Sequence, residues 1–432
     1  MRTLQVYINT RRIGELRDEN GIWSFTYADD WVTAADGYAI SPALPLQLLP
    51  HLDGSSQRSV QWFFDNLLPE EGARTLLARD ARLDLADNFG LLAYYGAESA
   101  GSLILRSEQD PITESGERPL SDASLHERIQ RLPTVSLSTG AAKRMSLAGA
   151  QHKLPVVLRA GQLFEPIGNT PSTHILKPDH PDKTYAHSVI NEFFTMRLAK
   201  ALNIPVPNVT RHYVPEPVYL IERFDRQITT NHVERLHVLD ACQLLDVNRQ
   251  FKYTHASIER LHTLAERCHA PAAARLRLYS WLVFNVLVGN SDAHLKNLSF
   301  LMGKHGISLA PHYDLLAIAV YDTKALGRDV WPHTSLAWPL FDKHTFAEIK
   351  RATLLEAGAV LGIQMATCER LLDFQLKRIK PAAKQLLLDI EQENRVLLQQ
   401  HPALAHFFVG ESRCLRTIVY LIIHDMVKQL TG

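Results

Sequence analysis

Near Leu239 the hydrophobic pattern of this chain changes period, and that change limits the available folds more than any other feature. Upstream, "LQVYIN", "RRIGEL" and "GIWSFTYA" alternate apolar and polar positions between the turn-like "NTRR" and "RDENG", which predicts a small β-meander. Trp23, Phe25 and Tyr27 would share one face of it. From Ser59 to about Leu83 apolar residues recur at helical spacing, and a polar connector with Pro and Gly follows after "GSLILR". "KLPVVLRAGQLFEPIG" then reads as a hairpin turning at "RAGQ", and "THILKPD" as a further strand. "KTYAHSVINEFFTMRLAKALNI" reads as one amphipathic helix, and "VYLIERFDR" returns to strand. Beyond Leu239 the pattern is mostly helical, up to a leucine-rich "KQLLLDIEQENRVLLQQ".

At 432 residues the chain exceeds one ordinary core. The reading is an α+β chain: an N-terminal subdomain over 1–110, a β-rich lobe over 111–238, and an all-helical lobe over 239–432. A small β-rich lobe followed by a large helical one is the order of a protein-kinase-like two-lobed body, although fold alone does not fix chemistry.

Charge excludes little. The 46 basic and 46 acidic residues balance, so there is no global pull toward nucleic acid. The four cysteines are scattered without a CxxC pair, which speaks against a disulfide framework and a zinc site and for a reducing compartment. "MRTLQVYINTRR" lacks the apolar stretch of a secretory signal, and runs such as "IVYLII" are too short to span a bilayer. The expectation is a cytoplasmic protein with no membrane partner.

Polar residues cluster where the apolar "WLVFNVLV" ends, in "GNSDAHLKNLSF". Phosphoryl transfer from ATP needs its phosphates held, their charge offset by Mg²⁺ and a lysine, and the acceptor hydroxyl oriented by a carboxylate. Each requirement has a candidate, in the expected order. "MSLAGAQHK" is rich in small residues whose backbone N–H groups can approach phosphate, with Lys153 adding charge. It is neither a GxxxxGK[ST] nor a GxGxxG motif, and alone it would be a plain turn. Lys177 ends a short apolar strand, where it can reach the α and β phosphates; Glu192 on the next helix is its candidate partner, equally readable as a solvated glutamate. Glu222, Arg223 and Phe224 fall where a linker would meet the adenine edge through its main chain. Asp292 and Asn297 have the D-x-x-x-x-N spacing of a kinase catalytic loop, with Asp292 as proton acceptor and Asn297 as Mg²⁺ ligand. Asp314, after Tyr313 in "YDLL", takes the place of the DFG aspartate, the principal Mg²⁺ ligand. His294 and Lys296 lie within reach of nucleotide or acceptor. A lone D-x-x-x-x-N with a helix-capping aspartate arises often by chance; the ordered set does not.

At "SLAGAQHK", "ILKP", "NEFFTMRLAKALNIPVP", "ERFDR", "GNSDAHLKN" and "YDLL" the chain resembles the HipA family over nearly its whole length. That family comprises bacterial serine/threonine kinases acting as toxins of type II toxin–antitoxin modules associated with persistence. The resemblance implies an ATP loop of Ala148, Gly149, Ala150, Gln151, His152 and Lys153, and Lys177 on the phosphates. It implies Glu222 to Phe224 beside adenine, with His294, Lys296 and Tyr313 in the nucleotide site. Asp292 would be catalytic, and Asn297 and Asp314 would bind Mg²⁺. It further implies autophosphorylation of Ser146, where a dianion beside the loop would repel ATP. His152 departs from the glutamate of many relatives. The implied partners are a dimeric HipB-like helix-turn-helix antitoxin, operator DNA mainly through it, and a translation component, with glutamyl-tRNA synthetase as precedent. A small-molecule kinase of the same plan, and an inactive kinase-fold corepressor, are the rival expectations.

Overall fold

The computed structural model describes residues 1–108, 114–145, 147–229 and 232–432, and the chain divides into two compact units. The first gathers Met1–Lys177, Leu220–Lys252 and Ser299–Ala310; the second gathers Pro178–Tyr219, Tyr253–Leu298 and Pro311–Gly432. Each unit is thus assembled from segments remote in sequence.

In the first unit an antiparallel sheet is ordered His51–Leu52, Ile22–Tyr27, Arg11–Glu19, Arg2–Ile8, Leu103–Arg106. Alternation aims Trp23, Phe25 and Tyr27 inward, and all three are buried. Phe25 packs on Phe64 at 5.6 Å between ring centroids, and Trp23 meets Phe89 edge-on at 5.3 Å. The helical stretch after Ser59 resolves into Ser59–Asp65 and Glu71–Ala81. Pro69 lies in the break, where it has no N–H to offer a helix.

A second sheet places Leu154–Arg159 between His174–Pro178 and Gln162–Ile167, with Gly116–Pro119 outside the last. Its hairpin turns at Ala160 and Gly161, with φ of 48° and 79°. That left-handed pair matches the right-handed twist of flanking strands. A third sheet of Val238–Asp240, Ser299–Gly303 and Gly306–Leu309 adds a short hairpin to the mostly helical stretch after Leu239. Alternation in "SFLMG" and "GISL" across a tight turn is enough for a hairpin, because Val238–Asp240 supplies a third strand.

One buried carboxylate joins these pieces. Glu98 has no exposed surface and receives Lys143 Nζ at 2.7 Å, Arg226 Nη2 at 2.8 Å, Arg235 Nη2 at 2.8 Å and Arg223 Nη1 at 3.3 Å. The Ser172 N–H and hydroxyl also donate to it, at 3.1 and 2.9 Å. Asp225 balances the cations, accepting from Arg223 at 2.6 Å and from the Gly101 N–H at 2.7 Å. Burial alone would raise the Glu98 carboxyl, but the Lys143, Arg226, Arg235 and Arg223 charges outweigh it and hold it well below its ordinary value of 4.5.

In the second unit the helices are Ser188–Ala201, Ile258–Glu266, Pro271–Val288, Arg351–Val360, Met365–Gln400, Ala405–Thr417 and Ile423–Thr431, joined by a hairpin of Ser335–Leu340 and Lys343–Thr345. The helix expected from Lys183 begins at Ser188, because His187 has φ of 62°, a conformation that an α-helix cannot contain. The Asp179 carboxylate then accepts from the Val189 N–H at 2.8 Å, satisfying one orphan donor of the first turn. Among the described residues no helix is long and apolar enough to cross a membrane.

The helix Pro271–Val288 stops at Gly289, whose φ is 67°. A Cβ there would stand 2.9 Å from Ala319 Cβ and 2.9 Å from Ile422 Cγ2. Gly289→Val is therefore expected to destabilise the protein by about 1–3 kcal/mol from overpacking alone, read from chemical denaturation. Glu98→Gln, which leaves four buried cations short of their counter-charge, is expected to cost about 3–5 kcal/mol at neutral pH. Because the folded-state carboxyl is depressed, this difference is fully present above pH 4.5 and shrinks as pH falls below it. Denaturation of both proteins at pH 7 and pH 4 measures it; an equal gap at the two pH values would refute the assignment of the charge.

Candidate active site

The first unit carries the loop, the lysine and the linker. Gly149 has φ of 104°, and a Cβ there would lie 2.7 Å from Lys153 Nζ. The positive φ favours glycine there, and the loop curls around its own lysine. Lys153 Nζ donates to the Ala148 carbonyl at 2.7 Å. The Gly149 carbonyl accepts from the Glu70 N–H at 3.2 Å, and a parallel bridge pairs Gly149 with Pro69. Ala148, Ala150, Gln151 and His152 are half-buried. Ser146 lies outside the described residues. Lys177 is buried near the end of His174–Pro178.

In the linker, the Arg223 guanidinium is occupied by Asp225, Glu98, Ser172 and the Ser99 carbonyl, and the Arg223 backbone N–H donates to the Thr173 carbonyl at 2.9 Å. The Arg223 side chain therefore anchors the linker from within. Glu222 and Phe224 are half-buried, and the Glu222 charge is felt by His174.

The second unit carries the acidic machinery, held by a ladder of amides. Asn285 Nδ2 donates to the Trp281 carbonyl at 2.8 Å, and Asn290 Nδ2 to Asn285 Oδ1 at 2.8 Å. Asn290 Oδ1 accepts from the Asp292 N–H at 3.1 Å. The ladder carries the rigidity of the helix one turn past its end and fixes the Asp292 backbone. Asn297 Nδ2 donates to the Asp292 carbonyl at 2.9 Å. Since only the nitrogen can donate, Asn297 Oδ1 must face the other way. His294, Lys296 and Asn297 are all buried, and His294 meets Tyr253 edge-on at 5.0 Å.

Asp314 lies on the next segment with φ of 57°, a conformation that a short polar side chain tolerates and most residues do not. Neighbours hold it there. The Tyr313 hydroxyl donates to the Lys296 carbonyl at 2.9 Å, and the His312 N–H to the Pro205 carbonyl at 2.8 Å. Asn191 clamps the chain beyond, accepting from the Ala317 N–H at 2.8 Å and donating to the Ala317 carbonyl at 3.2 Å. Burial, then Arg277, pushes the His312 imidazole down to about 3, so that it is neutral against Trp281. Glu192 is buried on Ser188–Ala201. Burial, then the Glu192 and Asp314 carboxylates, pushes the Tyr219 phenol well above its ordinary value.

Sequence reasoning missed Asn285, Asn290, Asn191, Tyr219 and Tyr253. The Asn285–Asn290 pair had a visible signal, two amides at the end of an apolar run. Tyr253 had none.

The donors fit a hard cation. Asn297 offers an amide oxygen and Asp314 a carboxylate, on segments joined by the Tyr313–Lys296 hydrogen bond. Among the described residues no group of three or more His, Cys, Asp or Glu gathers to hold a metal by itself. Two oxygen donors suit Mg²⁺, which keeps water and phosphate ligands.

The family model for the HipA-like C-terminal domain matches residues 145–381, and that for the HipA N-terminal domain matches 4–106. The chain is 36% identical over 336 residues to putative kinase Y4mE of Sinorhizobium fredii, covering 74% of this chain and 78% of that one. It is 32% identical over 341 residues to the serine/threonine-protein kinase toxin HipA of Shewanella oneidensis, covering 74% and 76%. The structure of the Shewanella oneidensis MR-1 HipA, solved with HipB and operator DNA, superposes with a TM-score of 0.76 at 27% identity, covering 98% of this chain and 99% of that one. The α+β, protein-kinase-like fold is thus shared end to end, and this chain belongs to the HipA family.

Proposed function

We propose that this chain is an ATP- and Mg²⁺-dependent serine/threonine protein kinase acting as the toxin of a toxin–antitoxin pair. The observation that carries this reading is the second-unit geometry. The Asp292 backbone N–H is held by the Asn285–Asn290 ladder and its carbonyl by the Asn297 amide, with Asp314 on the adjoining segment.

When bound, Mg-ATP supplies the γ-phosphoryl group. Asn297 and Asp314 would hold the cation, Lys177 and Lys153 would offset phosphate charge, and the backbone of Ala148 to Lys153 would cradle the phosphates. Main-chain groups of Glu222 to Phe224 would meet the adenine edge, with His294, Lys296 and Tyr313 completing the nucleotide side. Glu192 would position Lys177. Asp292 would take the proton of a serine or threonine hydroxyl. Ser146 is the proposed autophosphorylation site, silencing the loop by charge.

The Shewanella oneidensis relative, solved with HipB and operator DNA, supports a HipB-like antitoxin here, with DNA reached mainly through it. A translation component is the proposed target, with glutamyl-tRNA synthetase the first to assay.

Transfer of label from γ-labelled ATP into protein of a cell extract tests the reading. Asp292→Asn is expected to lower transfer by about 10²–10⁴-fold, since an amide cannot accept the proton. Nucleotide binding should persist. Asn290→Ala is expected to lower kcat while leaving the KM for ATP close to that of the wild type, because it frees the Asp292 backbone without touching a nucleotide group. Label appearing only in a small molecule would sink the protein-kinase reading.

A further inference from the structure

The hydroxyl of Tyr253, 39 residues upstream, donates a hydrogen bond to Asp292 Oδ1. The ring packs edge-on against His294 at 5.0 Å and 82°, yet 41% of the residue is exposed. The Tyr253 carbonyl accepts from the Ala256 N–H at 3.0 Å, closing a turn just before the helix Ile258–Glu266. The backbone is therefore fixed, while rotation about the side-chain torsions can carry the phenol into solvent.

The group that Tyr253 presents to Asp292 is an O–H donor, and so is the group that the proposed reaction brings there. We propose that Tyr253 is a gate on acceptor entry: its phenol stands in for the serine or threonine hydroxyl on Asp292 and must swing aside before an acceptor docks. This rests on the kinase reading above and adds to it a residue that sets acceptor affinity. The physical argument is one of exchange. An acceptor hydroxyl trades one hydroxyl–carboxylate hydrogen bond for another, so the new contact brings little net gain, and the acceptor binds more weakly than an unobstructed carboxylate would allow. The resting phenol also keeps the Asp292 carboxylate hydrogen-bonded when no acceptor is present.

The test uses the full-length protein, Mg-ATP and a serine-containing acceptor protein phosphorylated by the wild type. Tyr253→Phe keeps the ring on His294 and removes only the hydroxyl. The gate requires the KM for acceptor to fall about three- to tenfold, the worth of one ordinary hydrogen bond, with kcat within twofold and the KM for ATP unchanged. Tyr253→Leu, which also removes the ring, should lower the acceptor KM similarly. An unchanged acceptor KM in both variants overturns the gate. So does a fall in kcat at constant KM, which would make Tyr253 a positioning residue for Asp292. Phosphate found on Tyr253 by mass spectrometry overturns it as well, since the phenol would then be an acceptor. If the wild type transfers no phosphate and Asp292→Asn is equally silent, the kinase reading itself fails, and the gate with it.

Discussion

A single buried carboxylate organises the first unit. Glu98 attracts Lys143, 45 residues on, and Arg223, Arg226 and Arg235, 125 to 137 residues on, and takes two further hydrogen bonds from Ser172. Burying four cations is costly unless their charge is met at short range, and the low-dielectric interior makes each mutual attraction strong. What the cluster gains is position. Arg223 fixes the linker from below, and Lys143 fixes the chain a few residues before the candidate phosphate loop. The loop itself is held by its own lysine and by backbone pairing to Pro69 and Glu70.

The second unit uses neutral groups for the same purpose. Asn285 and Asn290 relay the end of a helix to Asp292, and Asn191 clamps the segment beyond Asp314 with two bonds to Ala317. Amides can donate and accept together, so a short ladder satisfies each backbone group without bringing further charge near two acids. The same unit also buries two further acids, Glu411 and Asp179. Burial pushes Glu411 up to about 7 even though Arg211 opposes it, and pushes Asp179 up to about 6. Counter-ions therefore prevail at Glu98, whereas burial prevails at Glu411 and Asp179.

Much of this was legible in the residues. Alternation placed Trp23, Phe25 and Tyr27 inside the meander, and "RAGQ" marked the turn of the later hairpin Leu154–Arg159/Gln162–Ile167, because strand period and turn chemistry are local. The spacing of Asp292 and Asn297 was readable because both stand on one short loop. Other features were not. The helix predicted from Lys183 starts late because His187 adopts a left-handed backbone, which no periodicity reveals. Arg223, read as part of the adenine-side linker, has its guanidinium bound to Asp225, two residues on, and to Glu98, 125 residues back, and no local pattern shows the second partner.

The sequence by itself determined the order of the elements, the family and the identity of the candidate chemical groups, since composition, period and motif spacing depend on neighbours along the chain. Tertiary structure alone decided which groups meet those residues: Glu98 at the linker arginine, Asn290 at the Asp292 backbone, and the Tyr253 hydroxyl at the Asp292 carboxylate. Such pairings depend on distances through space between residues far apart in the chain, and only packing sets them.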